Sequence, residues 1–153
     1  MNPDFDALLR YYSRRDIQES ILELAKDREV AVRYGDHGYG KRPDILQYNT
    51  DILELARNGA TSFHVSEERW FNPLDIQTGM PKSKMNELRS GWDCVLDIDS
   101  PYVEYSQITT HLIIETLKFY GIGSYGVKFS GRKGFHIIIP FEAFPEKVGG
   151  ENV

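Results

Sequence analysis

VLDID at residues 95–99 and VKFSGRKGFHIIIP at residues 127–140 decide how this chain is read. The first closes Trp92–Asp99 (WDCVLDID), a β-rich run that ends in acid. Ser106–Tyr120 is long enough for about four helical turns, with Ser106 as its cap and Gly121 as its stop. Ser124–Phe129 (SYGVKF) predicts a strand, Ser-Gly-Arg-Lys-Gly turns the chain, and Phe135–Ile139 (FHIII) returns before Pro140. The order β-α-β-β predicts a split βαβ sheet, in which two parallel strands flank a crossover helix and a hairpin follows. Such a sheet closes with one more helix and strand. Glu142–Val153 is too short for both, so the sheet is expected to be incomplete.

Working outward, residues 1–90 predict a separate αβ unit ahead of the sheet unit at 91–153. Asp16–Lys26 carries Ile17, Ile21, Leu24 and Ala25 at helical spacing with Asp16 as cap. Tyr11 and Tyr12 fit the amphipathic face of a helix before it. Arg28–Tyr34 (REVAVRY) and Thr61–Ser66 (TSFHVS) alternate like strands. Between them Gly35–Pro43 is loop, and Thr50–Arg57 is a helix with a Thr or Asp cap, stopped at Asn58-Gly59. Asn72–Lys84 is a breaker-rich connection, and Glu67-Glu68 a solvated turn. The fold class expected is α+β: an N-terminal αβ unit followed by an incomplete RRM-like (split βαβ) sheet.

Composition narrows the function. The chain has 153 residues, 41% of them hydrophobic and 27% charged, which excludes long disorder, collagen-like repeats and coiled coils. One cysteine, Cys94, allows neither an internal disulfide nor a Cys-based zinc site within the chain. Apolar runs are far too short for a membrane span, and no signal peptide is evident, so no membrane partner is expected. With a net charge of −5, nucleic-acid binding must rest on local features rather than on overall charge.

Two local features carry chemistry. On a strand, Asp97 and Asp99 project to the same face. Adjacent carboxylates repel unless a cation neutralises them, and Mg²⁺ takes one or two carboxylates plus substrate phosphates. In SGRKGFH (130–136) the glycines bracket a hairpin turn whose backbone N–H groups, Arg132 and Lys133 cluster at the tip, with Lys128 nearby. Ser130 and His136 are expected to face one another across it. Fixed donors beside cations make a phosphate cradle. Carboxylates on one strand and a cradle on the following hairpin combine what nucleotidyl transfer needs: charge neutralisation at phosphorus and an in-line hydroxyl. His37, His64 and His111, with Trp70 and Trp92, read as solvent-facing or packing residues.

VLDID, a helix and then VKFSGRKGFHIIIP resemble the archaeo-eukaryotic primase superfamily, most of all the small catalytic subunit of archaeal and eukaryotic DNA primase, with its D-h-D motif and its strand-turn-strand S-G-x-x-G-x-H. REVAVRY after YYSRRDI is similar to that family's R-E-F segment at Arg28 and Glu29, with Val30 in place of the aromatic, and FHVSEERWFNP to the segment before the acidic motif. The resemblance implies a primase catalytic core that makes primers from nucleoside triphosphates on single-stranded DNA. Asp97 and Asp99 would hold the catalytic metals, Mg²⁺ or Mn²⁺. Ser130, Arg132, Lys133 and His136 would hold the triphosphate, with Lys128 and Arg42 as further phosphate contacts. It also implies a primase large subunit as partner and a cytoplasmic location, or a nuclear one in a eukaryote. The sequence departs from the family by lacking its third carboxylate on a later strand and its zinc-binding insertion, so the chain is expected to be the N-terminal portion of such a subunit. Two alternatives remain open. One is a non-catalytic fragment that binds nucleotide or a partner subunit. The other is a D-x-D phosphatase of the haloacid dehalogenase type, with Asp97, Asp99 and Ser130 as its site; against it, Ser100 stands where a Thr or Val is expected and no downstream acidic pair follows.

Overall fold

The computed structural model describes residues 4–152; Met1–Pro3 and Val153, which fall inside the two expected units, lie outside the described residues. The chain is mixed α+β and divides between Gly91 and Trp92 into two compact units.

The first unit begins with α1 (Phe5–Tyr12) and α2 (Arg15–Ala25), followed by β1 (Val30–Arg33), α3 (Asn49–Arg57) and β2 (Ser62–Val65). β1 and β2 pair antiparallel, Val30 opposite Val65 and Val32 opposite Phe63. Alternation turns Val30, Val32 and Phe63 inward, where they meet Tyr12, Ala25, Ile52 and Ala56 from the three helices. Tyr12 is buried, and its hydroxyl donates to the Thr61 carbonyl at 3.2 Å. Arg28, also buried, donates to the carbonyls of Ser66 and Glu67 at 2.8 and 2.9 Å. β3 (Glu68–Trp70), α4 (Lys82–Leu88) and β4 (Arg89–Trp92) complete the order, β3 pairing with β4.

Several local expectations need correction here. The cap of α2 is Arg14 and not Asp16, which lies in the first turn and pairs with the Arg14 guanidinium at 2.5 Å. That pairing holds the Asp16 carboxyl below its ordinary value. The cap of α3 is Tyr48, not Thr50 or Asp51; Asp51 accepts from the backbone N–H groups of Gln47 and Tyr48, both at 2.9 Å. Glu68 is no solvated turn, because it lies on β3 and is bonded to the Arg89 guanidinium. WDCVLDID is not one run: β4 ends at Trp92 and a new strand starts at Cys94.

The second unit contains β5 (Cys94–Ile98), α5 (Val103–Phe119), β6 (Gly126–Gly131), β7 (Gly134–Ile139) and a short hairpin of β8 (Lys147–Val148) and β9 (Glu151–Asn152). The sheet order is β5-β7-β6, and both outer strands run antiparallel to β7. β5 and β6 therefore run parallel to each other with β7 between them, the connectivity of a split βαβ unit. Ile98, Ile137, Ile139 and Leu117 form the core between one face of this sheet and α5, with Leu96, Ile113 and Ile114 packed around them. Ile137 is fully buried, which contributes about 2–3 kcal/mol. The cap of α5 is Tyr102 rather than Ser106, which sits inside the helix, fully buried, accepting from the Thr110 hydroxyl through its carbonyl at 2.7 Å. Gly121, at φ 74°, stops the helix, a conformation that L side chains disfavour. No helix among the described residues is long and apolar enough to cross a membrane.

Candidate functional site

Because α5 covers one face of the three-stranded sheet, the other face is open, and the sequence loads it with charge. Asp97 on β5 is directly opposite His136 on β7, and His136 is in turn opposite Lys128 on β6. Side chains at paired positions share a face. Asp97, His136 and Lys128 thus form a row across the open face. The His136 Nε2 lies 3.4 Å from Asp97 Oδ1, with the Asp97 side chain 69% exposed.

Two residues beyond Asp97, Asp99 leaves the end of β5 on the same side, towards the β6–β7 hairpin. That hairpin is built for close approach. Phe129 pairs with Phe135 and Gly131 with Gly134, which leaves Ser130 as the extra residue of a β-bulge. A Cβ at Gly134 would stand 2.5 Å from Ser130 Oγ, 3.2 Å from the Ile98 carbonyl and 3.6 Å from Asp99 Oδ1. Only glycine lets the Ser130 hydroxyl and the Asp99 carboxylate flank the strand so closely. Arg132 takes a left-handed φ of 52°, at a cost of about 1 kcal/mol for a side chain of its size, and sits at the exposed tip. Lys133 donates to the Pro101 carbonyl, tying the tip to the chain just after β5.

The result is a cavity of about 510 Å³ lined by Asp97, Asp99, Ser100, Pro101, Ser130, Gly131, Arg132, Lys133 and His136. Carboxylates, cations and hydroxyls line it together. All of Asp97, Asp99, Ser130, Arg132, Lys133 and His136 are brought together; Lys128 belongs to the same face through its pairing with His136. Ser130 does not face His136, however: it is the unpaired residue of the bulge, and Lys128 is the residue opposite His136. Arg42 belongs to the first unit, where its guanidinium forms a two-point bond with Glu29 at 2.8 and 2.9 Å, which raises its pKa further. Ser100 and Pro101 are lining residues that the sequence reading did not assign; the only hint was their place directly after the acidic pair.

The donor set fits a hard divalent cation in part. Among the described residues no three His, Cys, Asp or Glu side chains converge as a ready-made metal site. Two carboxylates on one face beside a phosphate-sized cavity suit an ion whose remaining oxygens come from water and a substrate phosphate.

No family model matches the chain. It is similar to an uncharacterized protein, MJECS07, of Methanocaldococcus jannaschii, with 26% identity over 139 residues, which cover 83% of this chain and 30% of that relative. The chain therefore spans less than a third of that relative's length.

Proposed function

We propose that this chain is a DNA primase small-subunit-like nucleotidyltransferase core, which binds a nucleoside triphosphate and a divalent cation on the open face of its split βαβ sheet. The observation that carries the reading is the single cavity shared by Asp97 and Asp99 with Ser130, Arg132, Lys133 and His136. The resemblance of VLDID and SGRKGFH to the primase superfamily supports it independently of the geometry.

In this reading Asp97 and Asp99 hold Mg²⁺ or Mn²⁺. The ion supplies charge neutralisation at the reacting phosphorus. Arg132, Lys133 and Lys128 bind the β- and γ-phosphates as charge-assisted donors, and the Ser130 hydroxyl adds a neutral one. His136, beside Asp97, holds that carboxylate in the row and offers its ring to the phosphate chain. These contacts orient the α-phosphorus for in-line attack by a primer 3′-hydroxyl paired to single-stranded DNA. The new P–O bond forms as the bond to pyrophosphate breaks, and the hydroxyl proton is lost to water. A primase large subunit is the partner this reading implies.

Two carboxylates rather than three line the cavity, and this favours a second reading in which the chain binds nucleotide without polymerising. Calorimetric titration of a nucleoside triphosphate with Mg²⁺ or Mn²⁺ into the wild type, Asp97→Ala/Asp99→Ala and His136→Ala tests the shared premise. Metal-dependent binding is expected in the wild type and not in the double variant. A folded wild-type chain that binds no triphosphate overturns both readings, and primer synthesis on single-stranded DNA separates them.

A further inference from the structure

α5 is apolar on two sides. Ser106, Thr110, Ile113, Ile114 and Leu117 face the sheet unit's interior. On the opposite side Tyr105, Ile108, Leu112 and Phe119 are 60%, 57%, 60% and 82% exposed. Their numbers, with Glu115, follow a strict three-four alternation from 105 to 119, which is the seam of a helix that packs on another helix. With Tyr102, 62% exposed at the cap, the seam offers on the order of 600 Å² of apolar surface, at the upper end of what a monomer leaves uncovered.

We infer that this seam is a self-association surface, on which α5 packs antiparallel against α5 of a second copy about a two-fold axis. Charge selects the occupant and its direction. Taking Tyr105 as the first seam position, Glu104, His111 and Lys118 occupy one flank at seven-residue spacing, while Thr109 and Thr116 occupy the other. Antiparallel pairing sets like flanks against each other, so Glu104 meets Lys118 of the second copy twice, and the helix dipoles oppose favourably. Parallel pairing would set the charged flank against the threonine flank and gain nothing. In the same register Ile108 lies against Leu112 of the second copy, and Tyr105 against Glu115, whose carboxylate can accept from the phenol. Glu115 now binds Lys118 at 2.9 Å within its own helix, so dimerisation exchanges that partner. Two such seams bury about 1,200 Å², the lower bound of a specific interface, so a micromolar dimer is expected.

Sedimentation equilibrium across the micromolar range is the test, run on the whole chain. A reversible dimer is expected for the wild type, and Leu112→Glu, at an exposed position, should be monomeric with an unchanged circular dichroism spectrum. Glu104→Lys and Lys118→Glu should each weaken association by roughly tenfold, and the double reversal should restore it. A wild type monomeric throughout, a dimer indifferent to Leu112→Glu (as one built on the open edge of β5 would be), or a double reversal no better than the singles overturns the inference.

Discussion

In the first unit Arg42 is bonded twice to Glu29, Arg89 to Glu68, and Arg28 to two backbone carbonyls. On the open face of the second, the side chains of Asp99, Lys128 and Arg132 form no hydrogen bond or ion pair among the described residues, although carboxylates and cations line one cavity. Both regions carry similar residue types, so composition does not separate them. What separates them is backbone geometry. In the first unit the backbone brings Arg42 to Glu29 and, through the β3–β4 pair, Arg89 to Glu68, and their interactions close. In the second, strand pairing and a bulged hairpin gather carboxylates and cations around one 510 Å³ space without closing Asp99, Lys128 and Arg132 onto partners among the described residues. Charges left unpaired around a cavity keep their capacity to bind something else, which is the arrangement expected where function overrides local satisfaction.

The strongest way to break this comparison is to remove the two carboxylates. Asp97→Ala/Asp99→Ala should reduce kcat/KM for nucleotide transfer about a thousandfold or more, on the order of 4 kcal/mol of transition-state stabilisation. Both residues are exposed and Asp99 has no side-chain partner among the described residues, so the thermal midpoint should stay put or rise slightly. A large drop in the midpoint would mean that these carboxylates hold the fold rather than a ligand.

Next in size is the hairpin itself. Gly134→Ala places a methyl group 2.5 Å from Ser130 Oγ, and either the bulge shifts or the strand does. A loss of roughly 1–3 kcal/mol in urea denaturation is expected, with triphosphate binding weakened beyond what stability explains. Adding Ser130→Gly removes the closest atom and should recover much of the stability without recovering the binding. Recovery of both would show that Ser130 is spacing only.

A smaller effect, opposite in sign, is expected at Ser106. Its Oγ is buried and has no hydrogen-bond partner among the described residues, inside a helix where alanine is the better helix former. Ser106→Ala should stabilise the chain by about 1 kcal/mol, read from the denaturation midpoint, and leave nucleotide binding unchanged. A destabilised variant would mean that the hydroxyl has a water partner that matters.

Ser106 also illustrates where the sequence could be read and where it could not. A serine at the start of an apolar-periodic run is a strong cap signal, but α5 starts a turn earlier, at Val103, and Ser106 is drawn into its buried face instead. Helix stops were legible because Gly59 and Gly121 adopt φ of 93° and 74°, which few other residues do. α4 was hidden since KSKMNEL carries too few apolar residues to display a period. In the site, the row from Asp97 to Lys128 follows from strand alternation, yet the partner of His136 did not. One extra residue at Ser130 changes every pairing beyond it, and a bulge is set by backbone conformations at the tip, Gly131 and Arg132, that leave little trace in residue type.

The gentlest test concerns Arg42, whose residue type suits phosphate as well as any cation on the open face. Its guanidinium is 57% exposed and bonded at two points to Glu29, whose side chain is only 13% exposed. Detaching it to bind phosphate would leave a mostly buried carboxylate unpaired, a cost that Lys128 and Arg132 do not face. Arg42→Ala, which leaves the same carboxylate unpaired, is therefore expected to lower stability by about 1 kcal/mol and to leave triphosphate affinity unchanged within about twofold. Arg132→Ala, in the same titration, should weaken binding by roughly tenfold. If the two variants lose affinity equally, the Glu29 bond does not withhold Arg42 from phosphate, and the contrast between bound and available charge fails at the residue where it is easiest to measure.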